Sequence, residues 1–170
     1  MIRPPDSQDQ QGFARALVAV LESLGIPYAV GGSVAAMEYG EPRLTIDIDL
    51  MVDAAPAQLA ALVAAARGWD LYITPLETIL ESAVVHGHPF NVIDGATGAR
   101  ADIYVVSAAG GLAASAMRRR RRRVWDVASG TEAWFLAPED VILFKLVYYR
   151  SGGLVADKHP RDIAKMIAVS

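Results

Sequence analysis

The stretch from Tyr28 to Asp49 constrains this chain more than any other: Tyr28-Ala29-Val30-Gly31-Gly32-Ser33, thirteen intervening residues, then Asp47-Ile48-Asp49. Leu44 to Val52 reads Leu, Thr, Ile, Asp, Ile, Asp, Leu, Met, Val, a β-branched run of period two that predicts a strand. Residues two apart on a strand share a face. Asp47 and Asp49 therefore project together, while Ile46, Ile48 and Leu50 turn the other way into apolar packing. Two adjacent carboxylates raise each other's pKa unless positive charge lies between them. A hard divalent cation meets that need, and Mg²⁺ held by few carboxylates plus substrate phosphates is its usual form.

Asp102 is a third acid, at the head of a second apolar strand, Arg100-Ala101-Asp102-Ile103-Tyr104-Val105-Val106. Three carboxylates on adjacent strands can hold two metals about 4 Å apart, the geometry of in-line phosphoryl displacement. Gly31, Gly32 and Ser33 supply the complementary half. Glycine lets backbone approach phosphate oxygens closely, and Ser33 at a helix start puts free N–H groups and the positive dipole end toward an anion. No lysine follows, so this is not a Walker A loop, and no G-x-G-x-x-G fingerprint is present.

At 170 residues, 53% hydrophobic and 21% charged, the chain has the size and balance of one globular domain. With no cysteine, disulfides, zinc–thiolate sites and cysteine nucleophiles are excluded. No apolar stretch is long enough to span a membrane, and the polar start of the chain has no signal-peptide core. A cytoplasmic protein with no membrane partner is the expectation.

Residues 1 to 8 read as a loose arm, with Ser7 and Gln10 at capping-box spacing before a helix that runs to Leu24. A strand over 27–30, a short helix over 34–39 and the 44–52 strand follow. Next come a helix over 56–66, a short strand within 69–74, and a helix over 75–85. Strands over 90–93 and 100–106 flank the hairpin turn Asp94-Gly95-Ala96-Thr97-Gly98. A helix of small residues then ends in the arginine run, before strands over 124–127 and 132–136. Helices over 138–150 and 160–168 close the chain, parted by Ser151-Gly152-Gly153. The sum is a single α/β (α+β) domain, 1–170: a mixed twisted sheet flanked by helices, with C-terminal helices in 138–170.

Arg118 to Arg123 are six of the 16 basic residues; without them, 10 basic residues face 19 acidic ones, a balance of −9. On a helix such a run is either a solvated end or a phosphate-contacting patch. His86 and His88 read as loop residues. Tyr148, Tyr149 and the tryptophans read as core and helix packing, and Glu139 and Asp140 as first-turn acids after Pro138.

Taken together, Gly-Gly-Ser, the spacer, Asp-x-Asp between apolar residues and the later lone Asp resemble the DNA polymerase beta superfamily of nucleotidyltransferases. The wider match is to its small bacterial members related to abortive-infection and toxin–antitoxin nucleotidyltransferases. Arg43-x-Thr45-x-Asp47-Ile48-Asp49, the 91–102 stretch, Pro138 through Leu146, and Arg161-Asp162-Ile163 all fit that pattern. The resemblance implies a nucleotidyltransferase fold and transfer of a nucleoside monophosphate from an NTP, ATP among them, to an acceptor hydroxyl. It implies that Asp47 and Asp49 bind Mg²⁺ or Mn²⁺ and that Asp102 completes the site. Gly31, Gly32, Ser33 and Lys145 would contact the nucleotide. The acceptor is expected to be tRNA or another RNA end, or a cognate toxin or antitoxin protein. The alternatives are an antibiotic-type small molecule, or a catalytically silent module of the same fold that binds a partner.

Overall fold

Period-two alternation builds strand β2, Asp47–Val52, and the surrounding elements are placed by pairing to it. The computed structural model describes residues 10–40, 47–106 and 111–169. The expected arm over 1–8, the Ser7 cap, Arg43, Thr45 and the start of the 44–52 strand lie outside the described residues. Ile48 and Leu50 are buried on the core side of β2, while Asp47 and Asp49 face outward.

In chain order the elements are α1 (Gln10–Ser23), β1 (Tyr28–Val30), α2 (Gly32–Tyr39), β2, α3 (Pro56–Gly68), β3 (Tyr72–Ile73) and α4 (Leu76–Thr78). There follow β4 (Phe90–Ile93), β5 (Arg100–Val105), α5 (Gly111–Arg119), β6 (Arg121–Asp126), β7 (Thr131–Phe135), α6 (Pro138–Ser151) and α7 (Lys158–Val169). The strands form one seven-stranded sheet in the order β3-β4-β5-β2-β1-β7-β6. β2 runs antiparallel to β1 and parallel to β5, and β1 runs parallel to β7. The sheet is therefore mixed, as expected.

α1 folds as its spacing predicts: Phe13, Leu17 and Leu21 recur on one face and are buried. Each such side chain contributes about 1.5–3 kcal/mol on full burial. Central β1 is buried along its whole length. Pro56 opens α3, where the missing N–H costs nothing. Asp94 closes the β4–β5 turn with its own carboxylate, which accepts from Ala96 N and the Thr97 hydroxyl.

Two expectations are corrected. The 75–85 helix forms, but after α4 it continues as a π-helical stretch, Ile79–Val85. The apolar pattern does not report that wider winding, because Ile79 and Ala83 turn inward either way. The arginine run does not end a helix as a unit. Arg118 and Arg119 finish α5, whereas Arg121, Arg122 and Arg123 open β6 and pair opposite Phe135, Trp134 and Ala133 of β7. Cross-strand partners decide the conformation there, against the helical preference of the arginines themselves.

Candidate active site

Strand directions bring the functional groups to one end of the sheet. β1 and β7, running parallel, both finish there; β2 and β5, whose pairing is also parallel, both begin there. The turn after β1 and the start of α6 after β7 thus meet the first residues of β2 and β5. Gly31 N donates to Asp49 O at 2.9 Å, and Leu136 N donates to Val30 O at 2.9 Å, which ties the two turns to the sheet.

Gly31 is the N-cap of α2, and no side chain caps that end. Gly32 has φ +56°, and a Cβ built on it would lie 1.8 Å from Asp49 Oδ2. No other residue type fits: the backbone passes directly beneath the carboxylate. Gly31, Gly32, Ser33, Asp47, Asp49, Asp102 and Lys145 all line one cleft of about 770 Å³. The side chains singled out from the sequence are thereby brought together.

β2 and β5 lie in register, with Asp47 opposite Arg100, Asp49 opposite Asp102, and Met51 opposite Tyr104. Asp49 and Asp102 are partly buried, and Asp47 is exposed. Burial pushes the Asp49 carboxyl pKa up, the negative charge of Asp102 pushes it further, and Lys145 works in the opposite direction. Asp102 is not a lone acid. Its Oδ1 and Oδ2 accept from Nε and Nη2 of Arg100, each at 2.9 Å, and Oδ1 also accepts from the Asn91 side-chain amide. Arg100 stands two residues before Asp102, so the same strand period that aligns Asp47 and Asp49 could have revealed it.

Among the described residues, no three Asp, Glu or His side chains are arranged to hold a metal ion. The donor chemistry nevertheless fits Mg²⁺ or Mn²⁺: three hard carboxylates line one cleft, and Asp49 bears the charge of both others. His86 caps the Ile79–Val85 stretch rather than lying in a loop, while His88 does lie in the loop, its Nδ1 3.1 Å from Ser82 Oγ.

Lys145 is buried, and its Nζ lies 2.7 Å from Asp162 Oδ2, joining α6 to α7. Lys158, the exposed first residue of α7, also lines the cleft. The cleft also has aromatic lining. Tyr104 faces Tyr148 with ring centroids 6.4 Å apart, and Phe144 stacks against Tyr148 at 6.4 Å. Tyr148 is therefore a cleft residue, contrary to the expectation that it only packs the helix. Helical spacing in the sequence could not show which face of α6 meets the cleft. Glu139 and Asp140 do more than open that helix: they pair with Arg121 and Arg119.

This fold is shared with solved nucleotidyltransferases. Residues 12–93, just under half of the chain, match a family model described as a nucleotidyl transferase of unknown function. That span includes Gly31–Ser33, Asp47 and Asp49 but ends before Asp102. Three solved structures share the fold at low identity. ANT(2'')-Ia in complex with adenylyl-2''-tobramycin is 16% identical, with a TM-score of 0.64 over 92% of this chain and 86% of that one. The lincosamide antibiotic adenylyltransferase LnuA with lincomycin bound is 13% identical, with a TM-score of 0.62 over 92% of this chain and 96% of that one. An antigenic nucleotidyltransferase-like protein from Paracoccidioides brasiliensis is 19% identical, with a TM-score of 0.59 over 97% of this chain and 78% of that one. No curated protein matches the sequence.

Proposed function

We propose that this nucleotidyltransferase moves a nucleoside monophosphate from a nucleoside triphosphate to an acceptor hydroxyl and releases pyrophosphate. The reading is carried by one observation: Asp47, Asp49 and Asp102 line the same cleft as the Gly31–Ser33 turn that opens α2. Asp47 and Asp49, with Asp102, would hold Mg²⁺ or Mn²⁺, which supplies charge neutralisation at the transferring phosphoryl group. The chain's own residues bind and orient. Amides at the start of α2 would face the triphosphate, and Gly32 lets the backbone pass against the Asp49 carboxylate where a Cβ would intrude. Lys145, held by Asp162, would lend positive charge to the cleft, and the exposed Lys158, which also lines it, would meet a phosphate.

The acceptor best suited to this cleft is a small cationic molecule bearing a hydroxyl. Acidic side chains stand beside the Tyr104, Phe144 and Tyr148 wall, a surface that attracts a cation and covers its apolar parts. Two proteins of the same fold were solved with adenylyl-2''-tobramycin and with lincomycin bound, which supports the same acceptor class here. RNA ends and a toxin or antitoxin protein are the competing acceptors.

The test is incubation with each α-labelled nucleoside triphosphate and Mg²⁺ or Mn²⁺, with cationic amino-sugar and lincosamide antibiotics, total RNA, or lysate protein. Label on a small molecule, abolished by Asp47→Asn and by Asp49→Asn, is the expected result. Label on RNA or protein moves the acceptor to that class. Transfer that survives either substitution removes the aspartates from the reaction.

A further inference from the structure

The guanidinium of Arg100 answers the same carboxylate that the proposed chemistry requires. In the register of β2 and β5, Arg100 lies opposite Asp47, and Asp102 lies opposite Asp49. Two parallel bonds of 2.9 Å, Nε to Oδ1 and Nη2 to Oδ2, give the two-pronged contact that makes an arginine–carboxylate pair strong and directional. Asn91 donates to Oδ1 from the far side. Both oxygens of Asp102 therefore already accept hydrogen bonds from the chain itself. Arg100 is 44% exposed at its side chain and Asp102 15%, so the guanidinium has room to leave and the carboxylate does not. An arginine in this position compensates the clustered acids, since the charges of Asp102, Asp47 and Asp49 all act on it.

We propose that Arg100 is a built-in counter-ion that competes with divalent metal for Asp102, keeping the third carboxylate in reserve. Arg100 is a positioning residue: it acts through Asp102 and takes no part in bond making. The inference rests on the metal-binding reading of the three aspartates given above.

The test is Mn²⁺ titration of the full chain, followed by the electron paramagnetic resonance signal of free Mn²⁺, without nucleotide and with each of the four nucleoside triphosphates. Without nucleotide, Arg100→Lys and Arg100→Gln should each bind Mn²⁺ at least about tenfold more tightly than the unaltered chain, the scale of one strong charge-assisted contact. In the Asp102→Asn background the Arg100→Gln change should add nothing. Arg100→Lys keeps the charge and loses the fork, so it separates direct competition from a general field. If Arg100→Lys binds as the unaltered chain does while Arg100→Gln tightens, only the field matters and the inference fails. Unchanged or weaker binding in both variants also overturns it. If nucleotide brings no Mn²⁺ to the unaltered chain and no variant binds it, the metal reading itself falls, and this inference with it. Melting curves establish that each variant is folded, and Arg100→Lys stands in if Arg100→Gln is not.

Discussion

Gly32 shows how one residue ties backbone conformation to chemistry. Its φ of +56° lies in the left-handed region, and the atom nearest a built Cβ is a carboxylate oxygen of Asp49. Gly32→Ala therefore meets two penalties at once, the left-handed backbone, about 1–2 kcal/mol for an L-residue, and displacement of the acid. Urea denaturation should show a loss of at least that size, and nucleotidyl transfer should fall to background because Asp49 is pushed aside. A variant of normal stability and activity would mean that the turn does not sit beneath the carboxylate. Asp49 itself carries a second expectation. Its folded-state pKa is raised, so the native state holds a proton that the unfolded chain has already released. That group costs stability as pH rises from the unfolded value through the folded one, and the cost persists above both. Asp49→Asn should accordingly raise the melting temperature at pH 7 while abolishing transfer, and the gain should shrink at a pH below the ordinary carboxylate range. A fall in melting temperature at pH 7 would show that the charged form is stabilised instead. The acids and the glycine turn were legible in the sequence because strand period and spacing carry them. Asn91 was not, because pairing between strands β4 and β5 decides what reaches Asp102 from β4, whereas Arg100, two residues before Asp102 on β5, was within reach of the same period.

Among elements, α6 and α7 are joined by a charge pair inside the protein: Lys145 and Asp162 are 5% and 6% exposed at their side chains, with 2.7 Å between Nζ and Oδ2. Both ions have lost most of their water, and their mutual attraction offsets that loss only while both are present. Asp162→Ala leaves a buried ammonium without its carboxylate and should cost about 3–5 kcal/mol. Replacing both together, as Lys145→Met with Asp162→Leu, should recover most of that stability, since a well-packed apolar pair often equals a buried ion pair. Chemical denaturation of the two variants decides the matter. A single substitution as mild as the double one would show the pair to be solvated. The helices themselves follow from apolar spacing and from the Ser151-Gly152-Gly153 break. Their pairing does not, because a lone lysine 17 residues before an aspartate has no local signature of contact. The same limit explains the arginine run. Local preference suggested a helix through Arg123, whereas β7 recruits Arg121 to Arg123 into β6.

Across the whole molecule, charge decides between two views of those arginines. The sequence shows six arginines in a row on a chain whose remaining balance is −9, a pattern that suits a basic patch for RNA. In the fold, the run meets acids from three elements. Arg119 pairs with Asp140 and Arg121 with Glu139 on α6, Arg122 with Glu132 on β7, and Arg123 with Glu38 on α2. Arg120 and Arg122 also lie over the ring of Trp134, at 4.8 and 5.7 Å from its centroid. Much of the positive charge is thus paired with the protein's own acids at the surface, fastening the α5–β6 segment to its neighbours. Replacing Arg119, Arg122 and Arg123 with Ser should therefore appear first as lost stability. Arg119 should contribute most, because Asp140 is only 2% exposed and would be left without its charged partner. The other two pairs are half-exposed and should contribute about 0–1 kcal/mol each. RNA binding gives the contrasting readout. If the arginines neutralised RNA phosphates, the triple change would flatten the dependence of log K on log salt by about 0.7 for each lost single-strand contact. The expected outcome is an unchanged salt slope together with a lower denaturation midpoint. A flattened slope at unchanged stability would return the run to the nucleic-acid reading and make RNA the first acceptor to test.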